Sequence, residues 1–290
     1  MIRNEHAEAI TLGIGDGAND VNMICEAHVG VGIQGLEGMQ AARSSDYAIS
    51  QFEYLKTLLF FHGREAYRRN AILAIYMFYK NILFVMPQFW FGFTSAFSGQ
   101  TLYEPIIYQF YNVAFTAFPI IIFAMLDQEF TKKTFLTDPQ KYCIGLTNEH
   151  FSYNLVTRTI FKGMFNGLLT VLFVMQGLNG THVGSYGRNG DLWVSGTLIY
   201  AIVVVNANLF VMQRTSTHNW ISTIFLILSV ASFYLCFFVE SLYPWSGPLY
   251  QLWDHAMAQK RVWLIFLLCA WQNIALDMMF ARWRYFRHQV

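Results

Sequence analysis

Charged residues are scarce in this sequence. Asp, Glu, Lys and Arg make up 13% of the 290 residues, about half the share found in soluble globular proteins. Hydrophobic residues make up 55%, and 19 Lys and Arg against 18 Asp and Glu leave a net charge of +1. This balance gives no electrostatic case for a nucleic-acid partner. The composition instead predicts an integral membrane protein.

Cysteine is also rare. The four cysteines, Cys25, Cys143, Cys236 and Cys269, are far apart and include no Cys-x-x-Cys pair. They therefore predict neither a disulfide framework nor a zinc site. The first residues, Met1 to Glu8, are polar and charged where a signal peptide would be apolar, so we expect the N-terminus to lie in the cytosol.

The first 60 or so residues have the pattern of a soluble α/β unit. Apolar residues predict strands at Ala9–Ile14 and Val29–Ile33, with a helix at Val21–Ala27 between them. A strand, a tight turn and a helix form half of a doubly wound unit, whose ligands bind at the carboxyl ends of the strands. We therefore expect residues 1–60 to be the C-terminal part of a cytosolic domain whose earlier strands are missing.

Residues 61–290 have the pattern of a membrane domain. Six apolar stretches are long enough to cross a hydrocarbon core of about 30 Å. They lie at about residues 71–93, 106–126, 159–176, 192–212, 220–239 and 262–280. Lys and Arg are more frequent in the loops on the side of the N-terminus, which predicts that both termini are cytosolic. Asn179-Gly-Thr181 is an N-glycosylation sequence on the opposite side of the membrane. Both a glycosylated Asn179 and a chance match to the sequence pattern are consistent with it.

The sequence Gly15-Asp-Gly-Ala-Asn-Asp20 follows the first predicted strand. Gly15 and Gly17 allow a tight turn and a close approach to a ligand. Asp16 and Asp20 supply carboxylate oxygens of the kind that Mg²⁺ binds, and the amide of Asn19 can hydrogen-bond a phosphoryl oxygen. The start of the next helix adds unpaired N–H groups for the same anion. The alternative interpretation is an ordinary Asp- or Asn-capped loop.

These residues resemble the last motif of the phosphorylation domain of P-type ATPases, a branch of the haloacid-dehalogenase-like fold. The resemblance implies that Asp16 binds the catalytic Mg²⁺, that Asn19 contacts the phosphoryl group and that Asp20 orders the site. Further segments are similar to the type-IV P-type ATPases, the phospholipid flippases. These segments are Ala27–Ile33, Glu37–Gln40, Ser45–Tyr47, Phe78–Ile82, Phe97–Gln100 and Tyr111–Pro119.

This resemblance covers essentially the whole chain and implies a mainly α fold. We expect a six-helix transmembrane bundle, preceded by the C-terminal piece of a haloacid-dehalogenase-like α/β phosphorylation domain. The implied cofactors are Mg²⁺ and ATP, with ATP bound mainly by domains absent from this chain. The implied partners are a phospholipid substrate, membrane lipids and an accessory subunit with two membrane spans, in the plasma membrane or in Golgi and endosomal membranes.

P-type ATPases accept the γ-phosphoryl group on an aspartate within Asp-Lys-Thr-Gly. No Asp in this sequence is followed by Lys, so we expect the chain alone to be inactive. Two alternatives stay open. The chain could be a non-catalytic membrane protein that binds or competes for flippase partners, or the cargo could be a cation or a polyamine.

Lys80 lies near the middle of the first predicted span. An ionised lysine at that depth costs about 2.5–3.5 kcal/mol on insertion scales. An anionic lipid headgroup or the polar residues Asn81, Asn112 and Gln88 could offset this cost, whereas the alternative is a lysine that snorkels to the interface. In flippases the matching residues follow the headgroup path, so the resemblance implies a path along Lys80, Asn81 and Asn112. The first two spans have no Asp or Glu before Asp127, which favours a lipid over a cation.

Two prolines lie within predicted spans. Pro87 and Pro119 each remove a backbone hydrogen bond and free a carbonyl group. Irregular backbone beside a transport path and a simple packing kink are both consistent with this pattern.

Overall fold

The computed structural model describes residues 8–35, 38–142, 148, 150–178 and 192–287. It is mainly helical, and it divides into two compact units. Unit 1 comprises Met1–Tyr67 and Phe130–Thr147, and unit 2 comprises Arg68–Glu129 and Asn148–Val290. Cys143 and the predicted glycosylation site at Asn179 lie outside the described residues.

Unit 1 contains a parallel three-stranded sheet in the order β1-β2-β3. The strands are β1 (Leu12–Gly15), β2 (Val29–Ile33) and β3 (Tyr47–Ile49), with helices α1 (Val21–Glu26) and α2 (Gln40–Ser44) in the connections. The first strand begins three residues later than its apolar pattern predicts. The third strand has only three residues, which is too short to give an alternating pattern, so the sequence did not predict it.

The segment after the second apolar stretch packs within unit 1. Helices α3 (Tyr54–Thr57) and α7 (Lys132–Thr137) belong to this unit, together with a π-helical stretch, Leu58–Gly63. The buried Arg64 guanidinium lies over the ring of Phe135, 4.7 Å from its centroid. These cation–π and helix contacts explain why α7 groups with the helical stretch that begins at Tyr54.

Unit 2 is built from helices, most of them long and apolar. They are α4 (Arg64–Thr94, which begins in unit 1), α5 (Pro105–Phe110), α6 (Ala117–Leu126), α8 (Tyr153–Leu178), α9 (Leu192–Arg214), α10 (Trp220–Leu242), α11 (Leu252–Met257) and α12 (Lys260–Arg287). Among the described residues, five helical stretches are long and apolar enough to cross a membrane: Tyr54–Thr94, Pro105–Leu126, Tyr153–Leu178, Leu192–Arg214 and Trp220–Leu242.

The sixth predicted span falls within α12. Some side chains of residues 262–280 lie outside the described part of the chain, so this crossing stays a prediction. Helix α9 is the central helix, because 83% of its most apolar stretch is buried, against 17% for α10. The bundle therefore has an internal helix, with α10 presenting much of its surface outward.

The second span is irregular in its middle. Residues Tyr111–Phe115 form a π-helical stretch between α5 and α6, and Thr116 departs from helical geometry with φ −135° and ψ −8°. Pro119 has no N–H for the carbonyl of Phe115, four residues earlier. The side chain of Asn208 donates to that carbonyl at 3.1 Å, and the hydroxyl of Ser229 donates to it as well. The backbone before Pro119 is therefore irregular, and its place beside a transport path stays a prediction.

Pro87 has a different setting. It lies inside α4, which continues as a single helix from Arg64 to Thr94. The helix has no gap at this proline, in contrast with the second span.

Candidate functional site

The Gly/Asp loop leaves the carboxyl end of β1 and enters a 3₁₀ turn at Ala18–Asp20. The carboxylate oxygen Oδ2 of Asp20 accepts hydrogen bonds from the backbone N–H groups of Asp16, at 3.2 Å, and Gly17, at 3.3 Å. These bonds close the loop on itself. Asp20 thus fixes the backbone that carries Asp16 and Asn19, both of which are exposed.

The two glycines of the loop lie against its own side chains. A Cβ atom built on Gly15 would come within 3.0 Å of the Cβ and carboxylate atoms of Asp20. A Cβ on Gly17 would meet Oδ1 of Asn19 within the same distance. Gly15 therefore leaves no space for a side chain beside Asp20, whereas a side chain at Gly17 requires the exposed Asn19 amide to move.

The loop carries carboxylates of the kind that bind magnesium. The carboxylate of Asp16 lies at the carboxyl end of β1, and a Cβ on Gly35, after β2, would lie 3.1 Å from the carbonyl oxygen of Asp16. The ends of the two strands therefore converge. No group of three His, Cys, Asp or Glu that could hold a metal is present in the described parts of the chain. Two carboxylates still fit Mg²⁺, which proteins often bind through one or two carboxylates plus phosphate and water.

Replacing Gly15 with alanine tests the packing of this loop. We expect Gly15→Ala to destabilise unit 1 by about 1–3 kcal/mol, because the new methyl group displaces Asp20 and its two hydrogen bonds. Limited proteolysis of the purified chain across a denaturant series measures the change. Gly63→Ala is the matched control, since its nearest neighbour is a carbonyl at an ordinary 3.5 Å. Equal effects at the two positions would contradict the packing argument.

Lys80 lies inside unit 2, with 3% of its surface exposed. Its ammonium group donates to the hydroxyl of Thr116 at 3.2 Å. The same nitrogen lies 5.6 Å from the ring centroid of Tyr76 and 5.9 Å from that of Tyr111. The side chain is therefore held by one hydroxyl and two aromatic faces, and it does not extend outward as a snorkelling lysine would.

The irregular part of the second span surrounds this ammonium group. The hydroxyl of Thr116 donates to the carbonyl of Tyr111 at 2.7 Å, and the hydroxyl of Tyr111 donates to the carbonyl of Lys80 at 2.9 Å. The hydroxyl of Tyr76 donates to the carbonyl of Thr116 at 3.0 Å. These bonds join α4 to the middle of the second span through polar groups in an apolar interior.

The structure separates the predicted path residues into two sets. Lys80 is internal, whereas Asn81 and Asn112 are exposed at the surface of unit 2. Thr116 is the hydrogen-bond partner of Lys80, and the sequence did not single it out. Its position three residues before Pro119 was the available signal, because proline-freed backbone recruits polar side chains.

Gln88 shapes the loop between the first two spans. Its side-chain amide donates to the carbonyl of Gln100 at 2.9 Å and accepts from the N–H of Leu102 at 2.7 Å. A cavity of about 480 Å³ lies beside it, and Tyr108 and Gln109 are among the lining residues. Gln88 therefore has a structural role at this end of the spans.

A buried ion pair lies at the opposite end of these spans. Arg68 and Asp127 are each 2% exposed, and Nη2 of Arg68 lies 2.6 Å from Oδ2 of Asp127. The other carboxylate oxygen accepts from the N–H groups of Ser216 and Thr217, at 2.9 and 2.8 Å. One carboxylate thus joins α4, the end of α6 and the turn between α9 and α10.

Comparisons with known proteins agree on one family. The family model described as phospholipid-translocating P-type ATPase C-terminal matches residues 42–289. The chain is 36% identical over 279 residues to phospholipid-transporting ATPase 11C of Mus musculus, covering 93% of this chain and 23% of that protein. It is 34% identical to phospholipid-transporting ATPase IC of Homo sapiens, with coverages of 91% and 22%.

A fungal relative gives the same result. The chain is 34% identical over 293 residues to phospholipid-transporting ATPase DRS2 of Saccharomyces cerevisiae, covering 97% of this chain and 21% of that protein. The chain thus spans about a fifth of the length of these curated relatives. The matched region is the C-terminal portion of the relatives.

Proposed function

Because this chain belongs to the phospholipid-translocating P-type ATPases, we propose that it supplies the magnesium-binding loop and part of the lipid path of an ATP-driven phospholipid transporter. The activity requires the further domains that its relatives possess. On this proposal the substrate is a phospholipid, and the cofactors are Mg²⁺ and ATP. An accessory subunit with two spans, a cytosolic location of both termini and a plasma or Golgi and endosomal membrane are parts of the same proposal.

The observation that carries the proposal is the buried ammonium group of Lys80. Its contacts are the hydroxyl of Thr116 and the rings of Tyr76 and Tyr111. A metal cation would be repelled by this ammonium group, and the predicted spans contribute no Asp or Glu before Asp127 to offset the repulsion. A phosphate-bearing headgroup would be attracted, and it would neutralise the charge in a low-dielectric interior.

The Gly/Asp loop would act on the phosphoryl group. Asp16 would hold Mg²⁺, Asn19 would donate its amide to a phosphoryl oxygen, and Asp20 would keep the loop closed through its two backbone hydrogen bonds. Bound Mg²⁺ supplies charge neutralisation on the phosphoryl oxygens. The exposure of Asp16 and Asn19 at the carboxyl edge of the sheet supports these roles.

A chimera tests the proposal. In it, this chain replaces the matching C-terminal region of a phospholipid-transporting ATPase relative, and the protein is reconstituted in liposomes. We expect ATP-dependent movement of a fluorescent phospholipid between leaflets and no ATP-dependent cation uptake. The same chimera lacking its phosphorylated aspartate is the control. ATP-driven cation flux without lipid movement would establish the cation alternative instead.

A further inference from the structure

Three asparagines on three different helices of unit 2 are buried in its interior. Asn166 on α8 and Asn273 on α12 are 0% exposed, and Asn206 on α9 is 2% exposed. Buried amides carry both donors and acceptors, each of which loses solvation unless it finds a partner. The donors and acceptors of these three side chains that lack a partner therefore indicate which molecule could bind between them.

Asn166 and Asn273 are paired directly. The amide nitrogen of Asn166 donates to Oδ1 of Asn273 at 2.9 Å and to the hydroxyl of Tyr79 at 3.0 Å. The opposite ends of the two amides, Oδ1 of Asn166 and Nδ2 of Asn273, are buried with no hydrogen-bond partner among the described residues. The pair thus leaves one acceptor and one donor to be satisfied.

Asn206 lies at the same level of the bundle. At one end of α9 and α12, Val194 and Val262 line the same apolar cavity. Asn206 and Asn273 follow these valines by twelve and eleven residues, so a rise of about 1.5 Å per residue brings them to matching heights.

An aromatic contact places Asn206 at the height of Asn166 as well. Phe210, one helical turn beyond Asn206, stacks on Tyr79 with ring centroids 4.4 Å apart, and the hydroxyl of Tyr79 is the one that accepts from Asn166. Oδ1 of Asn206 is also buried with no hydrogen-bond partner in the described part of the chain. Asn206 therefore brings a second unpartnered acceptor to the height of the Asn166–Asn273 pair.

The number of unpartnered hydrogen-bond donors and acceptors indicates which kind of ligand fits. Two acceptors and one donor match a molecule that donates twice and accepts once. Exchanging the nitrogen and oxygen of both paired amides changes which residue carries the free donor, but one donor and one acceptor still remain. Exchanging those of Asn206 turns its acceptor into a donor, and a molecule that accepts twice and donates once then fits. With either assignment a bare cation would face an N–H group, and an anion would face a carbonyl oxygen. Neither kind of ion satisfies the set.

We propose that Asn166, Asn206 and Asn273 form an internal binding site for one water molecule, which joins α8, α9 and α12. Buried waters make about three hydrogen bonds to otherwise unsatisfied polar groups, and this site offers three. The site is independent of the transport proposal, because it uses none of the groups assigned to phosphate, magnesium or lipid.

A structure of the chain in lipid nanodiscs, at a resolution that shows ordered water, tests the site directly. We expect one density peak within hydrogen-bonding distance of Asn206 Oδ1 and of the free atoms of Asn166 and Asn273. A direct hydrogen bond between Asn206 and Asn166 with no peak would overturn the proposal. A peak surrounded by short oxygen contacts typical of a metal cation would overturn it as well.

A double-mutant cycle tests whether the three residues act through a shared ligand. We expect Asn206→Leu and Asn166→Leu each to lower the thermal unfolding midpoint by about 2–4 °C. Their combined effect should be smaller than the sum, because the first change already removes the water. Asn206→Leu combined with Ser229→Ala, which affects a different polar cluster, should be additive. Additivity of Asn206→Leu and Asn166→Leu would refute a shared water.

Discussion

Replacing Asp127 with alanine is expected to lower the free energy of unfolding by about 3–5 kcal/mol, because it removes a carboxylate that pairs with the buried Arg68 guanidinium. The two groups are 2% exposed and 2.6 Å apart. Asp127→Ala also removes the acceptor of the Ser216 and Thr217 N–H groups. Chemical denaturation of the purified chain in detergent micelles measures the loss.

Three further variants make this prediction specific. Asp127→Asn keeps an oxygen acceptor and should destabilise less than Asp127→Ala. The double variant Arg68→Met/Asp127→Leu should recover much of the lost stability, since it removes both charges. Asp138→Ala is the control, because Asp138 pairs with Lys141 at 3.5 Å with both side chains partly exposed, and such pairs contribute about 0–1 kcal/mol. A loss at Asp127 as small as that at Asp138 would show that the buried pair does not join the helices.

The second large effect is expected at Asp16. In the chimera, Asp16→Asn should reduce Mg²⁺-dependent ATP hydrolysis on the order of 100-fold or more, because a metal that stabilises phosphoryl charge contributes several kcal/mol. Steady-state hydrolysis measured across a Mg²⁺ titration checks the result. The variant should need more Mg²⁺ as well as turning over more slowly.

Two comparisons isolate the role of Asp16. Asp20→Asn keeps a side-chain oxygen that can accept from the N–H groups of Asp16 and Gly17, so its effect should be smaller. Glu8→Gln changes an exposed carboxylate outside the loop and should leave hydrolysis unchanged. Unaltered Mg²⁺ dependence in Asp16→Asn would show that Asp16 does not hold the metal.

The sequence predicted the helices and strands that depend on patterns of neighbouring residues. Apolar stretches of about 20 residues gave the five membrane-length helices, and the strand, turn and helix around Asp16 followed from short patterns of apolar and glycine residues. The ends of the helices differed by up to seven residues, as at the start of α4, which begins at Arg64 and not at residue 71. The third strand was missed because Tyr47–Ile49 is too short to give a periodic pattern.

Contacts between distant residues could not be predicted in the same way. Lys80 was identified by its charge in an apolar span, but Thr116, its partner, is 36 residues away. Arg68 and Asp127 are 59 residues apart, and nothing in their immediate sequence indicates a pair. The water site depends on three helices at a common height, which only tertiary packing determines.

The most direct test of the account is ATP-driven phospholipid movement by the chimera carrying Lys80→Met. A hydrogen bond to a charged group contributes about 1.5–3 kcal/mol, so we predict transport slower by about 10- to 100-fold. Lys56→Met, an exposed lysine of the same helical stretch, should transport at the unmodified rate. Undiminished phospholipid movement in Lys80→Met would contradict the claim that the lipid passes this buried ammonium group.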